Sequence, residues 1–246
     1  MKQLILVATY NEADNIGPLI ERLRAVAPQA SILIADDRSP DGTGEQVAEL
    51  ARRDGAVNLL SRKGPRGYGF AMIEGFAWAL HNHFDHVVTL DADFSHDPAA
   101  IPELFAALER GSDMAIGSRF VDGVRVLNWE ISRLLLSLGA NQYVRKALFM
   151  PYADCTSGFR GYQARALRAI LRRKIRSRGY SFLVETLFWV HRAGCRVVEE
   201  PIVYSERRRG QSKMSKAIIF EAVLNPWRLW IEWMRTPRKQ VRMEEE

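Results

Sequence analysis

The chain has 246 residues, near the upper end for one domain, and its 47% apolar content is enough for a sizeable core, which argues against a disordered or fibrous protein. A net charge of +6, from 35 Lys+Arg against 29 Asp+Glu, with a pI near 9.5, favours partners that carry phosphate but does not choose between nucleotide, nucleic acid and anionic lipid. Cys155 and Cys195 are the only cysteines, without metal-ligand spacing or the density of a secreted disulfide scaffold, so a reducing compartment is expected.

The N-terminal "MKQLILVATYNE" runs from a short apolar stretch into polar residues without a small-residue cleavage site, and reads as a first strand. "NIGPLIERLRAVA" follows as a helix, "SILIA" as a strand, and "TGEQVAELARR" as a helix opened by a Thr43-x-x-Gln46 capping box. Then come "VNLLS" as a strand, "GFAMIEGFAWAL" as a helix, "VVTL" as a strand, "AAIPELFAALE" as a helix with Asp97 as its cap and Pro98 in its first turn, and "DMAIGS" as a strand. Repeated strand–helix units with near-continuous apolar strands predict a mostly parallel α/β sheet covered on both faces. Beyond about residue 125 the helices lengthen: "ISRLLLSLGANQYVRKALF" and "YSFLVETLFWVHRAG", then a strand "RVVEEPIVY". In the last segment Asn225 and Pro226 suggest two short helices, with Phe220, Val223, Leu224, Trp227, Trp230, Ile231 and Met234 on one stripe at helical spacing. No stretch approaches the roughly 20 apolar residues of a spanning helix. A membrane partner would be met at its surface.

Parallel α/β sheets bind ligands beyond the C-terminal ends of their strands. Those ends deliver Thr9, Tyr10, Asn11 and Glu12, then Asp36, Asp37, Arg38 and Ser39, then Asp91 and Asp93, then Ser118 and Arg119. Asp91 and Asp93 stand two apart, so persisting strand geometry points both carboxylates one way, where they repel unless a cation sits beside them. A hard ion such as Mg²⁺ or Mn²⁺, bridging to a diphosphate, resolves the repulsion. The bland alternative, a solvated turn, loses weight beside the other converging strand ends. "GPRGYGFAM" has Met72 where a dinucleotide fingerprint wants Gly or Ala, and it follows the third strand rather than the first, so it reads either as a turn or as a backbone contact to a ligand. His81, His83 and His86 lack a zinc pattern.

"ATYNE", "DDRSPDGT", "DADFSHDP", "GSRF", "DCTSGFRGY", "GYSFLVE" and "EEPIVYSERRRGQSKM" occur in the order seen in dolichol-phosphate mannosyltransferases, which the chain resembles over about residues 4 to 216. The resemblance implies a GT-A fold, Rossmann-like, and inverting transfer of mannose from GDP-mannose to a polyprenyl phosphate of the dolichyl or undecaprenyl type, with Mg²⁺ or Mn²⁺ as cofactor. It places Ala8, Tyr10, Glu12 and Asp37 at the nucleotide, Ala8 standing where the family usually has proline. Asp91, Ala92 and Asp93 become the diphosphate and metal segment, Ser95 a further candidate metal ligand. Arg207 and Lys213 resemble groups that close over the donor phosphates, and Arg119 and Arg133 the pair that holds the acceptor phosphate. Asp154 stands where related enzymes carry a catalytic carboxylate. Here it takes a proton, orients Arg133 or the sugar, or forms a structural ion pair with Arg160.

A phosphate monoester, with a second pKa of about 6, is already largely ionised near neutrality, so strong base catalysis is not required and two arginines with fork geometry suit the acceptor. Tryptophans and basic residues at the C-terminal end, with the amphipathic helix near Arg133, suit peripheral association with a membrane, on its cytoplasmic face if the compartment is reducing. The expected organisation is a catalytic domain over 1–216 and C-terminal amphipathic helices over 217–246. The alternatives are a UDP-glucose-dependent transferase and a catalytically silent membrane-bound scaffold. Nucleic-acid binding lacks a recognisable module.

Overall fold

The computed structural model describes residues 1–177, 179, 181–205 and 216–235. The alternating pattern of the first half becomes strands β1 (Gln3–Thr9), β2 (Ser31–Asp36), β3 (Val57–Ser61), β4 (His86–Leu90) and β5 (Met114–Ser118), separated by helices α1 (Ala13–Val26), α2 (Thr43–Arg53), α3 (Tyr68–His81) and α4 (Ile101–Glu109). After β5 come α5 (Ile131–Leu148), β6 (Arg160–Gln163), α6 (Ala164–Leu171), α7 (Ser181–Arg192), β7 (Val197–Pro201) and α8 (Lys216–Arg235).

The seven strands form one sheet in the order β3-β2-β1-β4-β6-β5-β7. The pairs β1–β2, β1–β4, β2–β3 and β5–β7 are parallel, whereas β6 is antiparallel to both β4 and β5. The expected mostly parallel sheet is therefore present. Helices cover both of its faces: along β1, Leu4 and Leu6 enter one core with Phe76, Phe182 and Phe188, while Ile5 and Val7 enter the other with Ile16, Leu19 and Leu104. Alternate side chains of a strand point to opposite faces, so each run of buried residues serves both cores. At Gly75 any Cβ would fall 2.6 Å from Leu6 Cδ1, so a larger residue in this close approach of α3 to β1 would force the buried Leu6 side chain to move.

The chain winds outward from β1 to β2 and β3, then returns to place β4 on the other side of β1. That reversal is a topological switch point, and it opens a crevice at the C-terminal ends of β1 and β4. Tyr10 and Asp91, which follow those two strands, come to its rim.

Three local expectations are corrected. The capping box at Thr43 and Gln46 does not form: Gly42, at φ +90°, precedes α2, and the Thr43 hydroxyl donates to Asp41 at 2.6 Å instead. Asp41 supplies stronger local acceptors, one oxygen taking Thr43 N and Oγ1 and the other Ala13 N at 3.0 Å. The C-terminal segment is one helix rather than two, with Pro226 inside α8. Asn225 is buried and, instead of capping, accepts from Arg228 Nη2 at 2.6 Å and donates to Ser181 O at 3.3 Å. Arg160 does not pair with Asp154; its guanidinium is buried against carbonyls, donating to Leu183 O at 2.7 Å and Cys155 O at 2.9 Å. The Asp97 cap is present, its carboxylate accepting from Ala99 N at 2.9 Å ahead of a 3-10 turn, Pro98–Ala100, that leads into α4.

The apolar stripe of α8 turns outward. Leu229 is buried in the core and Trp233 packs inward beneath Arg192, whereas Val223, Leu224, Trp227, Ile231 and Met234 are exposed. The Phe220 side chain lies outside the described residues. Ile131, Leu135 and Leu136, in the first turns of α5, are exposed as well, and Tyr143 of the same helix donates to Val223 O at 2.6 Å, which joins α5 to α8.

Candidate active site

On one side of the crevice the ends of β1 and β2 are tied together. Asp36 is buried as a staple, accepting from Thr9 Oγ1 at 3.0 Å and Ser39 Oγ at 2.6 Å. Asp37 turns the other way: its carboxylate accepts from Gly67 N at 2.8 Å and forms an ion pair with Arg62. Arg62 is 1% exposed and also reaches Glu74 at 2.7 Å and Pro65 O at 3.0 Å. A buried charge of this kind persists when it is paired and hydrogen-bonded, as here. Ala8 is partly buried near the end of β1; Tyr10, just after that strand, carries Arg66 stacked at 5.0 Å from its ring centroid, and half-buried Glu12 accepts from Asn15 Nδ2 at 2.8 Å.

β4 ends at Leu90, so strand geometry does not continue through Asp91, Ala92 and Asp93, and the two carboxylates are not equivalent. Asp91 keeps a side chain 35% exposed at the crevice. Asp93 is buried, and one of its oxygens accepts from Ser95 Oγ at 2.6 Å and Ser95 N at 3.1 Å. Ser95 itself is fully buried behind Asp93 and aims it. Phe94, at φ +61°, makes the left-handed turn that brings this about. His96 is packed between Phe159 and Tyr204, and its Nδ1 accepts from Asp91 N at 3.3 Å. That contact leaves the ring proton on Nε2. Burial pushes the His96 pKa down, and the nearby Asp91 and Asp93 only partly offset it.

Across the crevice, Arg119 follows β5 and meets Asp154 in a two-pronged pair, Nε–Oδ2 at 2.6 Å and Nη2–Oδ1 at 2.7 Å, with Arg119 N adding a third bond at 3.1 Å. Thr156 Oγ1 accepts from Arg119 Nη2 at 2.7 Å and from Asn141 of α5 at 3.1 Å. Burial alone pushes the Asp154 carboxyl up, but the charge and hydrogen bonds of Arg119 overcome it and hold the group below the usual carboxylate range. Glu199 of β7 accepts from Ala153 N at 2.7 Å and Asp154 N at 2.9 Å and so fixes the backbone from which Asp154 projects. Trp129 lies between the two arginines, its ring 5.7 Å from the Arg119 guanidinium and 4.3 Å from that of Arg133.

The structure thus brings Ala8, Tyr10, Glu12 and Asp37 to one flank of the crevice, Asp91, Ala92, Asp93 and Ser95 to its floor, and Arg119, Arg133 and Asp154 to the far flank. Arg207 and Lys213 lie outside the described residues. His96, Trp129, Asn141, Thr156, Tyr204 and Glu199 were not singled out from sequence. His96, Thr156, Tyr204 and Glu199 lie inside the motifs quoted above without a role of their own, and Glu199 carries a further signal, since adjacent acids in a strand are disfavoured. Glu200 faces the other way, to Arg110 at 2.7 Å.

Residues 4–171 match the family described as glycosyl transferase family 2. The chain belongs to this family. Among relatives of this glycosyltransferase, the undecaprenyl-phosphate mannosyltransferase of Micrococcus luteus is 42% identical over 235 residues, covering 95% of this chain and 96% of that one. The polyprenol monophosphomannose synthase of Mycolicibacterium smegmatis is 40% identical, over 90% of this chain and 84% of its own. The dolichol-phosphate mannosyltransferase of Pyrococcus furiosus is 35% identical over 95% of this chain, which spans 64% of that longer protein. Among solved structures, glucosyl-3-phosphoglycerate synthase from Mycobacterium tuberculosis, in complex with Mn²⁺, UDP and glucosyl-3-phosphoglycerate, aligns with a TM-score of 0.66 at 14% identity, over 96% of this chain and 81% of that one. At that identity the likeness is one of fold, and the fold is the expected GT-A type.

The donor set of this glycosyltransferase fits a hard divalent cation. Asp91 is open to the crevice and Asp93 is aimed by Ser95, and both offer oxygen. Among the described residues no group of three or more His, Cys, Asp or Glu could hold a metal ion unaided. One or two carboxylates completed by substrate phosphates and water is the arrangement Mg²⁺ favours.

Proposed function

We propose that this chain transfers mannose from GDP-mannose to a polyprenyl phosphate, with inversion at the anomeric carbon, and that it requires Mg²⁺ or Mn²⁺. The observation that carries the reading is the pair Arg119 and Arg133 gathered around Trp129, across the crevice from Asp91 and Asp93. Two guanidiniums beside an aromatic ring suit the phosphate of an amphiphilic acceptor, and the carboxylates opposite suit a metal-bound diphosphate.

In this reading Tyr10, Glu12 and Asp37 hold the nucleoside, with Ala8 lining it, and Ala92 lies with Asp91 and Asp93 at the diphosphate. Asp91 and Asp93 hold the cation, which when bound neutralises charge on the departing diphosphate. Arg207 and Lys213 are assigned to the same diphosphate. Arg133, and Arg119 through the N–H groups that Asp154 and Thr156 do not occupy, grip the acceptor phosphate and aim one of its oxygens in line with the scissile bond. The acceptor is ionised at neutral pH and needs no base. Asp154, held ionised below the usual carboxylate range by Arg119, is a poor base and acts by fixing that arginine.

Residues 1–216 form the catalytic unit and 217–246 a membrane-interfacial segment. The chain sits peripherally on the cytoplasmic face of a membrane, with the exposed apolar faces of α5 and α8 toward lipid. No described helix is long and apolar enough to cross a membrane. The test is incubation with Mn²⁺, a polyprenyl phosphate and either labelled GDP-mannose or labelled UDP-glucose. An organic-extractable, acid-labile product from GDP-mannose, absent in Asp93→Ala, is expected. A product from UDP-glucose alone would replace the donor, and no product from either, with folded protein, would overturn the reading.

A further inference from the structure

The loop "GPRG" between β3 and α3 belongs to no recognised phosphate-binding pattern, yet the structure invests heavily in holding it still. Its backbone is pinned from below: buried Arg62 donates to Pro65 O at 3.0 Å, and Gly67 N donates to Asp37 at 2.8 Å. Gly67, at φ +142°, adopts a backbone open to glycine at the turn into α3.

Arg66, alone among the side chains of this loop, is directed at the crevice. Exposed though it is, it does not extend into water. Its guanidinium stacks 5.0 Å from the Tyr10 ring centroid, donates to Tyr10 Oη at 3.2 Å and donates to Arg38 O at 3.1 Å. A planar, forked cation is therefore held against the aromatic ring at the end of β1, beside the carboxylate that follows β2. Two of its N–H groups are directed at acceptors on the rim, and neither of those acceptors is a charge that would lock it there.

We propose that Arg66 reads the nucleobase of the donor and selects guanine over uracil. The inference rests on the donor reading given above, in which Tyr10 and Asp37 hold the nucleoside. Guanine presents two adjacent acceptors, O6 and N7, that match the guanidinium fork. Uracil alternates acceptor, donor and acceptor along its edge and offers no adjacent pair. When a guanine nucleotide enters, Arg66 exchanges Tyr10 Oη and Arg38 O for O6 and N7. Buried Arg62, paired with buried Asp37 and with partly exposed Glu74, keeps the loop in place while it does so.

Calorimetric titration of the full chain with GDP and with UDP, each with Mn²⁺, tests this in the wild type, Arg66→Ala and Arg66→Lys. Arg66→Ala should weaken GDP binding about tenfold or more and UDP binding by less than about threefold. Arg66→Lys should behave like the alanine variant, because an ammonium keeps the charge but loses the fork. Melting temperatures of the variants report that they remain folded. Undiminished GDP binding in Arg66→Ala, or equal losses for GDP and UDP, overturns the inference and leaves the donor reading standing. A wild type that does not prefer GDP to UDP overturns the donor reading and the inference with it.

Discussion

Replacing Asp154 by asparagine preserves the shape of the side chain and removes its charge. The structure makes this a severe change: Asp154 is fully buried, takes both prongs of the Arg119 fork, and leaves that guanidinium ringed by Phe120, Trp129 and Tyr204 once the charge is gone. Removing one partner of a buried pair costs roughly 3–5 kcal/mol, because the other charge stays desolvated and unpaired. At about 2–4 °C per kcal/mol for a chain of this size, the melting temperature should fall by roughly 6–20 °C. Since folding holds the carboxyl below its unfolded value of about 3.9, the pair stabilises the protein fully above that pH and progressively less as pH falls through the folded pKa. The gap between wild type and Asp154→Asn should therefore be widest near neutrality and shrink in acid below about pH 4. Scanning calorimetry from pH 3 to pH 8 measures it, with Arg119→Met/Asp154→Leu as the double variant, which should be less destabilised than the sum of its single changes. A wild-type melting temperature in Asp154→Asn would refute the reasoning. So would an activity profile in which only the acid limb is lost, since that marks a proton acceptor rather than a support.

Arg133→Ala leaves Arg119 alone at the proposed acceptor flank, so the KM for the polyprenyl phosphate should rise about tenfold or more with little change in the KM for the sugar nucleotide; steady-state kinetics with each substrate varied separate the two. Glutamate at both Trp227 and Ile231, which are exposed on α8 and outside the core, should leave the melting temperature within a few degrees of wild type and lower recovery with anionic vesicles in a flotation assay. Undiminished flotation would turn attention from α8 to the apolar face of α5.

The fold owed most of its legibility to short-range pattern. Each strand–helix unit of the first half, and the Asp97–Pro98 start signal before α4, depends on residues within a few positions of one another. Patterns of that range are fixed by local sterics and hydrogen bonding. The same locality misled at Thr43, where Asp41 competed for the hydroxyl, and at Asn225, whose partners Ser177 and Ser181 come from a distant part of the chain.

The residue types at the strand ends, and with them a crevice lined by carboxylates and arginines, were determined by the sequence alone, because a mostly parallel sheet brings its C-terminal ends together whatever the details of packing. Which carboxylate serves which arginine was decided only by the tertiary structure. β6, four residues long, lies antiparallel between β4 and β5 and fixes the loop before it, so that Asp154 meets Arg119 at 35 residues' separation while Arg160 turns into the core. Glu199, a further 45 residues along, then grips the Asp154 backbone from β7. Pairings at such distances depend on sheet order, and sheet order is a property of the whole chain.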